Sequence, residues 1–148
     1  MKIGTFQIQS LTTVAAVYFL IVVGGLVSST GSGLACPDWP LCYGQIVPPL
    51  TPNIVIEFTH RLWTIVVTIF VVLTMLFAWK KYRWPHKVTA FATLTFVLLL
   101  SQVILGMITV LSGTEPLIVT AHLALAILVF ASALTTTVAS LTYRRRKG

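Results

Sequence analysis

The chain has 148 residues, of which 57% are hydrophobic and only 9% charged, and its mean hydropathy is +0.95. That composition excludes an ordinary soluble domain and makes an all-α integral membrane protein the expectation. The net charge of +7 does not point to nucleic acid, because every basic residue except Arg61 falls at a chain end or in one loop, where they serve as topology signals and lipid headgroup contacts.

Charge-free stretches run from Ile3 to Pro37, Leu62 to Trp79, Val88 to Thr114 and Pro116 to Tyr143. Each approaches or exceeds the ~20 apolar residues that cross a bilayer. The expectation is one domain over residues 1–148, with transmembrane helices at about 10–29, 54–79, 88–111 and 117–141 and an outer loop at 30–53. The first run is too long in its apolar core and too weakly flanked by positive charge to read as a signal peptide, although small residues follow it.

Four crossings place Lys2, Lys80, Lys81, Arg83, Lys87 and the tail Arg144, Arg145, Arg146, Lys147 on one side. The opposite loops hold no Lys or Arg, so both termini are expected in the cytoplasm of a multi-pass cell-membrane protein. The helices form two hairpins that resemble each other loosely. Each rising helix carries glycine near its outer end (Gly24 and Gly25; Gly106), and each descending helix carries a histidine near its start (His60; His122).

Imidazoles in hydrocarbon mark a site by default. His60 follows Pro52 by eight residues and His122 follows Pro116 by six, which places them roughly 12 and 9 Å below those prolines at 1.5 Å per residue. The glycines fall at a similar level and either let helices pack closely or admit the edge of a flat cofactor. Two facing imidazoles in a bundle are the axial ligand set of a haem, so a bis-histidine haem pocket near the outer side is expected. His86, among Tyr82, Arg83, Trp84 and Lys87, reads as a surface residue of the opposite interface.

Glu57 is the only carboxylate inside a helical span and lies three residues before His60 on the same face. It is read either as an acid–base group of the pocket or as the i,i+4 partner of Arg61. Arg61 either binds a haem propionate or snorkels to the interface. Cys36 and Cys42, the only cysteines, form a C-x5-C pair in the outer loop and read as a disulfide, serving as a staple or as an exchanging dithiol.

The segment Gly31 to Gln45 (GSGLACPDWPLCYGQ), Glu57 to Arg61 (EFTHR), the run Gln102 to Gly106 with Thr109 to Leu111, and His122-Leu123 together resemble the haem A synthase family over nearly the whole chain. The resemblance implies oxidation of a methyl group of haem O to the formyl group of haem A. It makes His60 and His122 haem-iron ligands, Glu57 the catalytic acid and Cys36 with Cys42 the outer-loop pair, with haem b as cofactor. Members of that family carry eight helices in two halves, each with its own histidine pair. This chain corresponds to one half, so a homo-oligomer is expected. The partners it would meet are haem O, membrane lipid, haem O synthase, and a quinone or a thiol-redox protein. Two other functions compete: a bis-histidine cytochrome b that only passes electrons, and a haem-binding assembly subunit of a larger complex.

Overall fold

The computed structural model describes residues 4–145. Lys2, Arg146 and Lys147 lie outside the described residues, as do the side chains of Arg144 and Arg145. The described chain is helical apart from its connections: α1 (Thr5–Ser29), α2 (Pro52–Tyr82), α3 (Lys87–Leu111) and α4 (Pro116–Arg145), with a single 3-10 turn at Ser32–Leu34 after α1. All four helices are long and apolar enough to cross a membrane. At 25 to 31 residues and 1.5 Å per residue they are roughly 37–46 Å long, more than the ~30 Å hydrocarbon layer.

The starts of the helices follow from local chemistry. Pro52 and Pro116 open α2 and α4, where a missing N–H costs nothing. Glu115 Oε2 accepts from the backbone N–H of Ile118 (2.9 Å), satisfying one of the free donors at the head of α4. His86 Nδ1 does the same for Val88 at the head of α3 (3.1 Å). His86 is therefore a half-buried cap, its ring packed between Tyr82 and Tyr143 (centroids 5.0 and 4.8 Å), rather than the free surface residue expected. The α1 helix begins five residues earlier than the apolar pattern suggests. Gln7, outside the expected helix, and Ser10, its expected first residue, are buried, and Gln7 Nε2 donates to Tyr82 Oη and the Ser140 carbonyl.

The helices pack as a ring in which α1 and α3 each touch α2 and α4. At mid-height Ala16, Val17, Val67, Val71, Leu99 and Val129 form a buried apolar layer, and Phe6, Ala78, Val88 and Ala92 form a second one near the end that carries the termini. Between and around them run hydroxyl contacts across helix pairs, Thr13 with Thr74 (2.7 Å) and Thr95 with Ser132 (2.9 Å). Such bonds average about 0.6 kcal/mol between membrane helices and fix their register. Large apolar side chains such as Tyr18, Phe19, Ile65, Ile104 and Leu128 point outward on every helix, as a lipid-facing surface requires.

Candidate functional site

Toward the loop end the apolar core stops. Beyond Val17 in α1, between Glu57 and Val67 in α2, beyond Gln102 in α3 and before Val129 in α4, no described residue within the helices is buried. The interior of that layer is shaped instead by His60, His122, Gln102, Glu57 and two glycines. Its floor is Trp63, one turn past His60, whose Nε1 donates to the Ala16 carbonyl (3.0 Å) and whose ring meets Phe19 edge-on (4.9 Å).

Both imidazoles rest on glycine. A Cβ built on Gly24 would stand 3.2 Å from His60 Cε1, and one on Gly106 would stand 3.1 Å from His122 Cε1. The two hairpins thus repeat one contact, glycine of the first helix against histidine of the second. Gly25 takes no part, since nothing lies within 4 Å of its would-be Cβ. Gly24 and Gly106, expected either to let helices pack closely or to admit a cofactor edge, make room for the imidazole rings of the facing helices. The histidines come from diagonal helices, α2 and α4. Nδ1 of each is buried without a hydrogen-bond partner.

Gln102, which sequence reasoning quoted only as part of a run, belongs to this layer. Its Nε2 lies 3.1 Å from His122 Nε2 and 3.0 Å from the His122 carbonyl oxygen, while its Oε1 is buried without a partner. The signal available in the sequence was its place one turn before Gly106, on the face that carries the histidine contact.

Above His60 the loop is clamped by Arg61. Its Nε donates to Glu57 Oε1 (2.7 Å), Nη1 to the carbonyls of Asp38 (2.7 Å) and Leu41, and Nη2 to the carbonyl of Cys36 (2.9 Å). Four of the five N–H donors of the guanidinium are used, which leaves one on Nη2. Glu57 and Arg61 are thus paired as their spacing allowed, and the arginine turns inward to the loop instead of snorkelling.

The loop itself is closed twice. Cys36 and Cys42 are disulfide-bonded and buried, packed on Ile54. The Asp38 carboxylate accepts from the backbone N–H groups of Gly44 (2.7 Å) and Tyr43 (2.6 Å). These bonds, that to Gly44 foremost, hold the Asp38 carboxyl below the ordinary carboxylate range. Tyr43 and Gly44 turn at φ 56° and 65°, and this left-handed pair aims both N–H groups at one carboxylate.

No group of three or more His, Cys, Asp or Glu side chains comes together as a metal site among the described residues. His60 and His122 stand as a pair, without a third such side chain among the described residues. The pair, its glycines, Glu57–Arg61 and the disulfide loop lie at one end of the bundle.

Residues 7–55 and 50–147 match the family described as COX15-CtaA, cytochrome oxidase assembly protein. The chain is similar to heme A synthases of Bacillus pumilus (36% identical over 133 residues, 87% of this chain), Bacillus licheniformis (34% over 125 residues, 84%) and Bacillus cereus strain AH187 (36% over 129 residues, 84%). It spans only 41–43% of the length of these relatives. Since the matched residues take in both histidines, the Glu57–Arg61 pair and both cysteines, the chain belongs to the cytochrome oxidase assembly protein family.

Proposed function

We propose that this layer binds haem, that His60 and His122 would hold its iron, and that the chain is a haem A synthase-like oxidoreductase acting on haem O. The observation that carries the reading is the repeated histidine-on-glycine contact at one level of a bundle whose apolar core ends below it. The residues fit the group: two imidazoles from diagonal helices, each with a buried unpaired Nδ1, in a layer without buried apolar side chains.

The conversion would be R–CH3 + H2O → R–CHO + 4 H+ + 4 electrons, and bound haem b would supply the redox centre through which electrons pass. The chain's own part is to hold the ring, exclude bulk water and receive protons. Glu57 stands three residues from His60 and is the carboxylate that would accept them. Arg61 sets the orientation of Glu57 through Nε, and its remaining Nη2 hydrogen is available to a propionate. The clamped loop covers the site, and the Cys36–Cys42 pair is the candidate contact of a thiol-redox partner. A quinone would be the other class of electron acceptor.

The basic loop and tail support cytoplasmic termini, which puts the histidine layer and the disulfide near the outer face, in a disulfide-permissive compartment. On this proposal the four-helix domain associates with further copies of itself. A cytochrome b that only passes electrons is the second reading, favoured by the engagement of Glu57 with Arg61.

The test is to purify the chain with its pigment and identify that pigment chemically, in wild type and in Glu57→Ala. Haem A or an alcohol intermediate in wild type, lost in the variant, supports the synthase. Haem b alone in both supports the electron carrier. His60→Ala or His122→Ala should abolish the low-spin bis-imidazole spectrum, and a spectrum surviving both changes would remove haem ligation by this pair.

A further inference from the structure

The contact between Gln102 and His122 defines where the His122 proton is. The His122 carbonyl oxygen can only accept, so the amide atom 3.0 Å from it must be the NH2 group of Gln102. The same nitrogen lies 3.1 Å from His122 Nε2, which must therefore be the acceptor. The ring proton is then on Nδ1, and the only in-plane lone pair of a neutral imidazole is the one that Gln102 occupies. Turning the amide would set two oxygens against each other at the carbonyl.

An axial metal ligand uses that same lone pair. Iron coordination by His122 Nε2 and the Gln102 hydrogen bond exclude each other. His60 has no such competitor: it makes no side-chain hydrogen bond among the described residues, and its Nδ1 is buried without a partner. The Gln102 contact is also one that can be displaced, because it leaves Gln102 Oε1 and His122 Nδ1 both buried and unpaired.

We propose that Gln102 competes with haem iron for the ligand atom of His122, so that the two histidines coordinate in order, His60 first and His122 after Gln102 lets go. This rests on the reading of both histidines as haem ligands. It makes the His122 bond the labile one, which suits a site whose haem must be able to leave.

The test is stopped-flow mixing of the purified full chain in detergent with ferric protohaem, following the high-spin and low-spin absorption bands, with electron paramagnetic resonance of the end point. The wild type should show a high-spin phase followed by a slower low-spin phase. In Gln102→Leu, and in Gln102→Met as a second apolar side chain of similar size, the second phase should quicken about two- to tenfold, the equivalent of one hydrogen bond, while the first is unchanged. In His122→Ala the reaction should stop at the high-spin phase, with or without Gln102→Leu. A second phase that is unchanged or slower in both Gln102 variants would overturn the competition and leave Gln102 as a brace for the ring. Wild-type low-spin binding in His60→Ala and His122→Ala would instead overturn the ligand reading beneath it.

Discussion

Arg61 Nε and Glu57 Oε1 stand 2.7 Å apart, one turn apart on α2, and the guanidinium that closes this pair also holds three carbonyls of the disulfide loop. An i,i+4 ion pair would ordinarily affect only its own helix. Here one cation joins the carboxylate nearest His60 to the loop that covers it.

Arg61→Ala should therefore uncouple loop and helix together. With side-chain exposures of 12% and 5%, removing one partner of the pair costs about 3 kcal/mol. The check is detergent-phase unfolding combined with amide exchange. Faster exchange should extend over residues 36–45 as well as the start of α2. Arg61→Lys restores the charge without the planar fork, and should recover the helix while leaving the loop amides fast.

Opening the disulfide should act on the same loop by a different route. The bond closes a short ring, with a sequence separation of 6, for which the chain-entropy estimate is about 2 kcal/mol. Cys36→Ser combined with Cys42→Ser should lower stability by about that amount while leaving the Glu57–Arg61 pair formed. Because both sulfurs are buried in the loop, reduction of the wild type by an added thiol should be slow, and faster in Arg61→Ala. The rate of thiol labelling after reduction measures it.

The helices were legible because exclusion of charge over twenty residues is a strong signal, and the two histidines were placed in depth by counting from Pro52 and Pro116, which prove to be the first residues of α2 and α4. The Glu57–Arg61 pair was one of two readings offered by i,i+4 spacing. The rest of the Arg61 network was not legible, since its acceptors are main-chain carbonyls, which leave no side-chain signature in a sequence. Gln102 escaped for a related reason: an uncharged amide in a helix names no partner until the helix across from it is in place. The glycines had two readings, close helix packing or a cofactor edge, and neither named the imidazoles that rest on Gly24 and Gly106, because sequence positions do not say which helix faces meet.

Acidification should loosen the loop in a definite place. Asp38 accepts from Gly44 and Tyr43, and its carboxyl titrates below the ordinary value of about 3.9. A depressed carboxyl contributes order that is fully present above the unfolded value and is lost as pH falls through the lower, folded one. The amides of Tyr43 and Gly44 should stay protected at neutral pH and lose protection only in acid below the usual carboxylate range. In Asp38→Asn, which keeps one acceptor oxygen, one of the two should be unprotected at every pH. Equal protection of both amides in wild type and Asp38→Asn would show that the turn is held by something other than this carboxylate.

Adding a methyl group at each glycine separates the imidazole seat from general helix packing. At Gly24 and Gly106 the new Cβ would lie 3.2 and 3.1 Å from a histidine ring carbon, so the ring must give way by a few tenths of an ångström. At Gly25 it meets nothing within 4 Å. All three sit in helix interiors, where glycine to alanine otherwise favours the helix by roughly 0.8–1 kcal/mol. Gly25→Ala should thus be neutral or slightly stabilising and leave haem binding alone. If His60 and His122 hold haem as proposed, Gly24→Ala and Gly106→Ala should weaken binding of ferric protohaem several-fold and shift the low-spin resonance, because each tilts one of the two imidazoles. Equal effects at Gly24 and Gly25 would mean that the glycines serve close helix packing, and that the imidazoles do not depend on the gap beneath them.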